Sequence, residues 1–105
     1  MNRKVVAELV LSPIVKGEVG ISHLLREVLH LLKTNYPNLK VETHAMGTNI
    51  ECEGGVEELL AAVRLCHDYL VVEKKVPRVV TTLKIDERTD NPDHTMEGKV
   101  RRTSF

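Results

Sequence analysis

The chain has no tryptophan, one phenylalanine and two tyrosines in 105 residues. Aliphatic side chains must therefore fill whatever core it builds. It also lacks net charge, since fifteen basic and fifteen acidic side chains cancel. That removes the broad electrostatic footprint of a general nucleic-acid or anionic-membrane binder, and neither is expected as a partner. No run approaches the roughly 20 apolar residues of a membrane span, and Met1-Asn2-Arg3-Lys4 leads into a short apolar stretch rather than a signal peptide. The expected address is the cytoplasm. Cysteine is scarce as well: Cys52 and Cys66 form neither a CxxC pair nor a dense framework, so two free, structural thiols are expected in place of metal or redox chemistry.

What is present divides into short periodic segments over one domain's length, residues 1–105. "KVVAELVLSP", Lys4 to Pro13, is rich in Val and Leu, too short for a typical helix and closed by proline, which predicts a largely buried strand. Ser22 is placed to cap a helix in which Leu24, Leu25, Val28, Leu31 and Leu32 share a face, and "TNYPN" ends it. "LKVETHA" and "TNIEC" alternate polar with apolar or small residues on either side of Met46-Gly47, a turn candidate because glycine tolerates positive φ. Gly54-Gly55 ends that hairpin. A second helix follows, with Val56, Leu59, Leu60, Val63, Cys66 and Leu70 along one face, until Pro77 stops it. "RVVTTLKID", Arg78 to Asp86, is dense in β-branched residues and predicts the last strand. The order βαββαβ is that of a ferredoxin-like α+β sandwich, two helices on one face of a four-stranded antiparallel sheet, with a polar C-terminal tail from about residue 88.

Alternation along the strands sorts the side chains by face. Val5, Ala7, Leu9 and Leu11 belong with Val79, Thr81, Leu83 and Ile85, and with Val41, Thr43, Ala45, Thr48, Ile50 and Cys52, on the side the helices cover. The other side collects Val6, Glu8, Val10, Ser12, Glu42, His44, Asn49, Glu51, Val80, Thr82, Lys84 and Asp86. Such a face suits water, but three valines among the polar groups also suit partial cover by a ligand or a subunit.

Most chemical motifs are missing. The five histidines are scattered and the acidic stretch after Lys84 lacks EF-hand spacing, so no metal site is predicted. Ser12, Cys52 and Cys66 stand in no nucleophile motif, which makes a small hydrolase the least favoured reading. Ferredoxin-like sheets that bind RNA do so through exposed aromatics on their central strands, where this chain carries Glu8, Val10, Asn49 and Glu51. What remains is a polar cluster on two central strands. Glu8 and Glu51 can accept hydrogen bonds from an amino-heterocycle, or can be ion-pair mates of Lys84.

Four segments in order, "VVAELVLSPI", "AMGTNIE", "RVVTTLKIDERTD" and "HTMEGKV", resemble the small thiamine-binding-protein family along nearly the whole chain. The resemblance implies the βαββαβ fold, self-association as homodimer or homotetramer, and non-catalytic binding of thiamine or its hydroxymethylpyrimidine part, with no cofactor. It also implies site positions at Ser12, Met46, Gly47, Thr48, Glu51, Thr82, Lys84 and Asp86, to which the face analysis adds Glu8 and Asn49. In the expected arrangement Glu8 or Glu51 accepts from the ligand's amino group, Thr48 and Thr82 hydrogen-bond ring nitrogens, and Met46 covers a ring face. The competing expectation is an assembly or regulatory module without a small ligand, its open sheet face being a subunit interface.

Overall fold

A computed structural model describes residues 3–17, 21–91 and 94–98. Met1-Asn2, the loop positions 18–20 and the tail positions 92–93 and 99–105, all included in the expected domain, lie outside the described residues. The strands are β1 (Val5–Ile14), β2 (Lys40–His44), β3 (Gly47–Cys52) and β4 (Arg78–Asp86), and the helices are α1 (Ser22–Asn35) and α2 (Gly55–Asp68). The sheet runs β2-β3-β1-β4 with every neighbour antiparallel, which is the ferredoxin-like order. β1 meets β3 over Val5 to Leu9 and β4 over Val6 to Ile14. Pro13 thus falls where β1 has a neighbour on one side alone, and there a missing backbone N–H is tolerated.

One aliphatic cluster holds the layers together. Val5, Ala7, Leu9, Ile50 and Cys52 from the sheet pack against Leu24, Val28 and Leu32 of α1 and Leu59, Ala62, Val63 and Cys66 of α2. The buried face of α2 differs in one respect from expectation: Leu60 is 48% exposed, and Ala62 takes its place in the core. At 100° per residue Ala62 follows Leu59 by three positions and stays on its face, whereas Leu60 rotates out.

Three local features depart from the predicted elements. Ser22 begins α1 without a side-chain capping bond, the N-cap being Ile21. The second helix continues past α2 as a π-helical turn, Tyr69–Glu73, closed by Lys74 N–H on the Tyr69 carbonyl and Val76 N–H on the Leu70 carbonyl, and the chain leaves it through Lys75 at φ 53°. The hairpin turn is Ala45-Met46, with Gly47 already the first residue of β3. Gly17 and Gly55, at φ 83° and 85°, are the left-handed glycines among the described residues. Gly47 sits where space is tight instead: a Cβ there would lie 3.1 Å from both the Leu9 carbonyl oxygen and Val10 Cγ2, and these would have to give by a few tenths of an ångström.

Candidate ligand-binding site

The register lays the polar side chains of the uncovered face in rows across the strands. Glu42, Asn49, Glu8 and Lys84 form one row, and Lys40, Glu51, Val6 and Asp86 the next. Val10 beside Thr82, then Ser12 beside Val80, continue toward the far end of β1. Alternation along β1, which buries Ala7 and Leu9 under the helices, turns Glu8 to the opposite side of the sheet.

The two carboxylates on the central strands, Glu8 and Glu51, each have a neighbour that orients them. His44 Nε2 lies 3.3 Å from Glu8 Oε2, while His44 Nδ1 accepts the Met46 N–H at 3.2 Å. Accepting there requires Nδ1 to be unprotonated, so in the neutral ring the proton sits on Nε2, the nitrogen that lies near Glu8. Glu51 uses its two oxygens differently: Oε1 accepts the Met96 N–H at 2.8 Å, and Oε2 lies 3.7 Å from Lys4 Nζ.

The Met96 contact brings part of the tail onto the open face. Residues 96–98 form a helical turn, with Thr95 Oγ1 accepting the Gly98 N–H at 3.0 Å and Glu97 paired with Lys40. His94 is 2% exposed and Met96 4%, and His94 Nε2 lies 3.4 Å from the Lys4 carbonyl oxygen. Under this strap Val6 is only 8% exposed although it points away from the helices.

Between the strap and β4 lies a cleft of about 330 Å³ lined by Val6, Glu8, Asn49, Lys84, Asp86 and Met96, with Ala7 and Ile85. A volume of that order is at the small end of ligand pockets and suits one ring system. A second, mostly apolar cavity of about 180 Å³ sits at the hairpin end, where Leu25 and Leu29 of α1 meet Leu9, Leu11, His44, Met46, Gly47 and Thr48. The ten sequence-predicted residues are therefore not one group. Glu8, Asn49, Lys84 and Asp86 share the cleft, Met46, Gly47 and Thr48 share the other cavity, Glu51 lies under the strap, and Ser12 and Thr82 lie farther along the face.

Met96, Lys4 and His94 were not among those ten. Strand alternation carried one residue back from Val5 places Lys4 on the face of Val6 and Glu8, so its meeting with Glu51 had a local signal. Met96 had none beyond its place in "HTMEGKV". The cysteines contribute no reactive group: Cys52 and Cys66 are buried and unpaired, desolvation pushes both thiols up, Cys66 to about 11, and they stay neutral near pH 7. Among the described residues no three His, Cys, Asp or Glu side chains converge to hold a metal ion, and no helix is long and apolar enough to cross a membrane.

Fold and cleft together place the chain among ferredoxin-like α+β proteins with a polar cleft on the uncovered sheet face. Residues 7–104 match the family described as thiamine-binding protein, and the chain belongs to that family. A UPF0045 protein of Methanocaldococcus jannaschii is 41% identical over 99 residues, covering 94% of this chain and 91% of the relative. The crystal structure of a hypothetical protein from that organism superposes with a TM-score of 0.80 at 39% identity, covering 95% of each chain. A Thermotoga maritima structure described as a candidate thiamine biosynthesis/salvage protein has a TM-score of 0.66 at 27% identity, covering 96% of this chain and 99% of that one.

Proposed function

We propose that the protein binds thiamine or a related aminopyrimidine without chemically changing it, and that the cleft on the open sheet face is where it does so. Membership of a family of binding proteins and similarity to the Thermotoga maritima protein support this reading. The observation that carries it is the juxtaposition of Glu8 and Asn49 on adjacent central strands inside one ring-sized cleft. A carboxylate accepts from an exocyclic amino group, and an amide both donates to and accepts from the edge of a pyrimidine. His44 Nε2 lies 3.3 Å from one oxygen of Glu8 and limits the directions the carboxylate can take. The Glu8 carboxylate in the lining also suits the cationic thiazolium of thiamine. Ser12 and Thr82 extend the same face, and Met46, Gly47 and Thr48 shape the hairpin that carries His44. Two unpaired, buried thiols suit a cytoplasmic setting.

Ligand at a hundred times its dissociation constant adds about 2.7 kcal/mol, a rise on the order of ten degrees in melting temperature for a domain of this size. Thermal melts with thiamine, its phosphates and hydroxymethylpyrimidine check this, with Glu8→Gln expected to lose most of the rise. A flat response to all of them sinks the reading. The assembly reading has its own support in β4, whose outer edge faces no other strand among the described residues while Val80 is 41% exposed. A second copy pairing there would give a homodimer, and a further face contact a homotetramer. Light scattering on the ligand-free chain tests it, a monomer being the adverse result.

A further inference from the structure

The cleft has one wall that no strand supplies. Met96 closes it from the tail, 4% exposed, sharing the lining with Glu8, Asn49, Lys84 and Asp86. Met46, by contrast, is 79% exposed at the hairpin tip and lines the other cavity. A flat heteroaromatic held at its edge by Glu8 and Asn49 needs an apolar surface against a ring face. In a chain so poor in aromatics, the lining offers aliphatic Val6, Ala7 and Ile85 from the strands and, facing them from the tail, the polarizable thioether of Met96, the group best suited to that contact.

Met96 is also fixed in place. Its backbone N–H donates to Glu51 Oε1 at 2.8 Å, a charge-assisted bond at the start of the short helical turn. The neighbouring contacts are the Glu97–Lys40 ion pair and His94 packed over the Lys4 carbonyl. Glu51 thus spends one oxygen on the strap and faces Lys4 with the other.

We infer that Met96 is the ring-covering residue of the site and that Glu51 is its positioning residue, acting on bound ligand through the strap. This rests on the aminopyrimidine reading above and deepens it. The strap completes the cleft, so ligand affinity depends on how tightly residues 94–98 are docked.

The test is calorimetric titration with thiamine and with hydroxymethylpyrimidine, alongside hydrogen exchange at the Met96 amide, on the full chain and four variants. Glu51→Gln keeps an acceptor oxygen, so both affinity and Met96 protection should stay within about threefold. Glu51→Ala has no acceptor, and should lose about tenfold in each. Met96→Leu preserves the apolar wall and should bind within about threefold of the parent, whereas Met96→Ala should bind about tenfold more weakly. The inference is overturned if Met96→Ala binds as tightly as the parent. It is equally overturned if Glu51→Gln abolishes binding while the Met96 amide stays protected, because Glu51 would then touch the ligand itself. If the parent chain binds neither probe, the aminopyrimidine reading fails at the first titration, before any variant is compared, and the role of Met96 fails with it.

Discussion

The two faces of the sheet are built from the same strands by opposite rules. Under the helices, Leu9, Ile50 and Cys52 are sealed into one aliphatic cluster, and every neighbour in it is apolar or nearly so. On the other side, charged and amide groups lie in ordered rows, and cover comes from a strap of a few residues with polar anchors. The first face is where the stability resides. The second keeps polar groups half-wet and oriented, at the expense of cohesion there.

The sharpest way to break this contrast is to truncate one apolar residue on each face. Ile50→Ala removes a side chain with no solvent exposure and should cost about 2–5 kcal/mol. Val80→Ala, at 41% exposure on the other face, should stay within about 0.5 kcal/mol. Urea titrations of both variants measure the difference, and equal losses would mean that the open face is covered in solution.

Next in size is a pH effect confined to the sealed face. Desolvation raises the Cys66 thiol from 9.0 to about 11. The folded state therefore holds its proton over a range where the unfolded chain releases it. This contribution is complete below pH 9 and is lost as pH rises toward 11, amounting to about 2–3 kcal/mol. Urea midpoints at pH 8, 9, 10 and 11 should fall more steeply for the parent than for Cys66→Ala. Parallel curves would show that the thiol is not desolvated.

The smallest effect belongs to the strap. Lys40 and Glu97 form an ion pair with about half of each side chain exposed, so Lys40→Ala should cost at most about 1 kcal/mol, less in high salt. Denaturant titration at two salt concentrations reads that loss. A value above it would place the strap within the cooperative core.

How much of this was legible in the sequence follows the same division. Period-two alternation assigned Val5, Ala7, Leu9, Ile50 and Cys52 to the core, and Pro37 and Pro77 marked helix ends, because these signals act over a few residues. The ferredoxin-like topology also put Glu8 and Asn49 on the two central strands and Lys84 on a flanking one, all on one face. The register that sets Glu8 directly beside both was not legible, because strand order fixes neighbours and not pairing. The partners of Glu51 divide. Alternation carried one residue back from Val5 puts Lys4 on the same face at the end of the adjacent strand, whereas Met96 arrives from the tail, and no periodicity links it to a strand so far back in the chain. The π-helical turn was illegible for a different reason: "YLVVE" carries no proline or glycine, and its widened hydrogen bonding depends on how Leu70 and Val76 seat against the core.

The position of β1 has a consequence for how the molecule is made. Of these four strands it is made before the other three yet lies at the centre, and its partners are β3 and β4, with Val6 opposite Asp86 on the adjacent β4. During translation β1 must wait through both helices and the hairpin before β4 emerges, its Val-rich flank unpaired in the meantime. Contacts so distant along the chain make for slow closure of the sheet. A nascent chain stalled before Arg78 would therefore present β1 as an aggregation-prone edge, and chaperone dependence should be greatest at that stage.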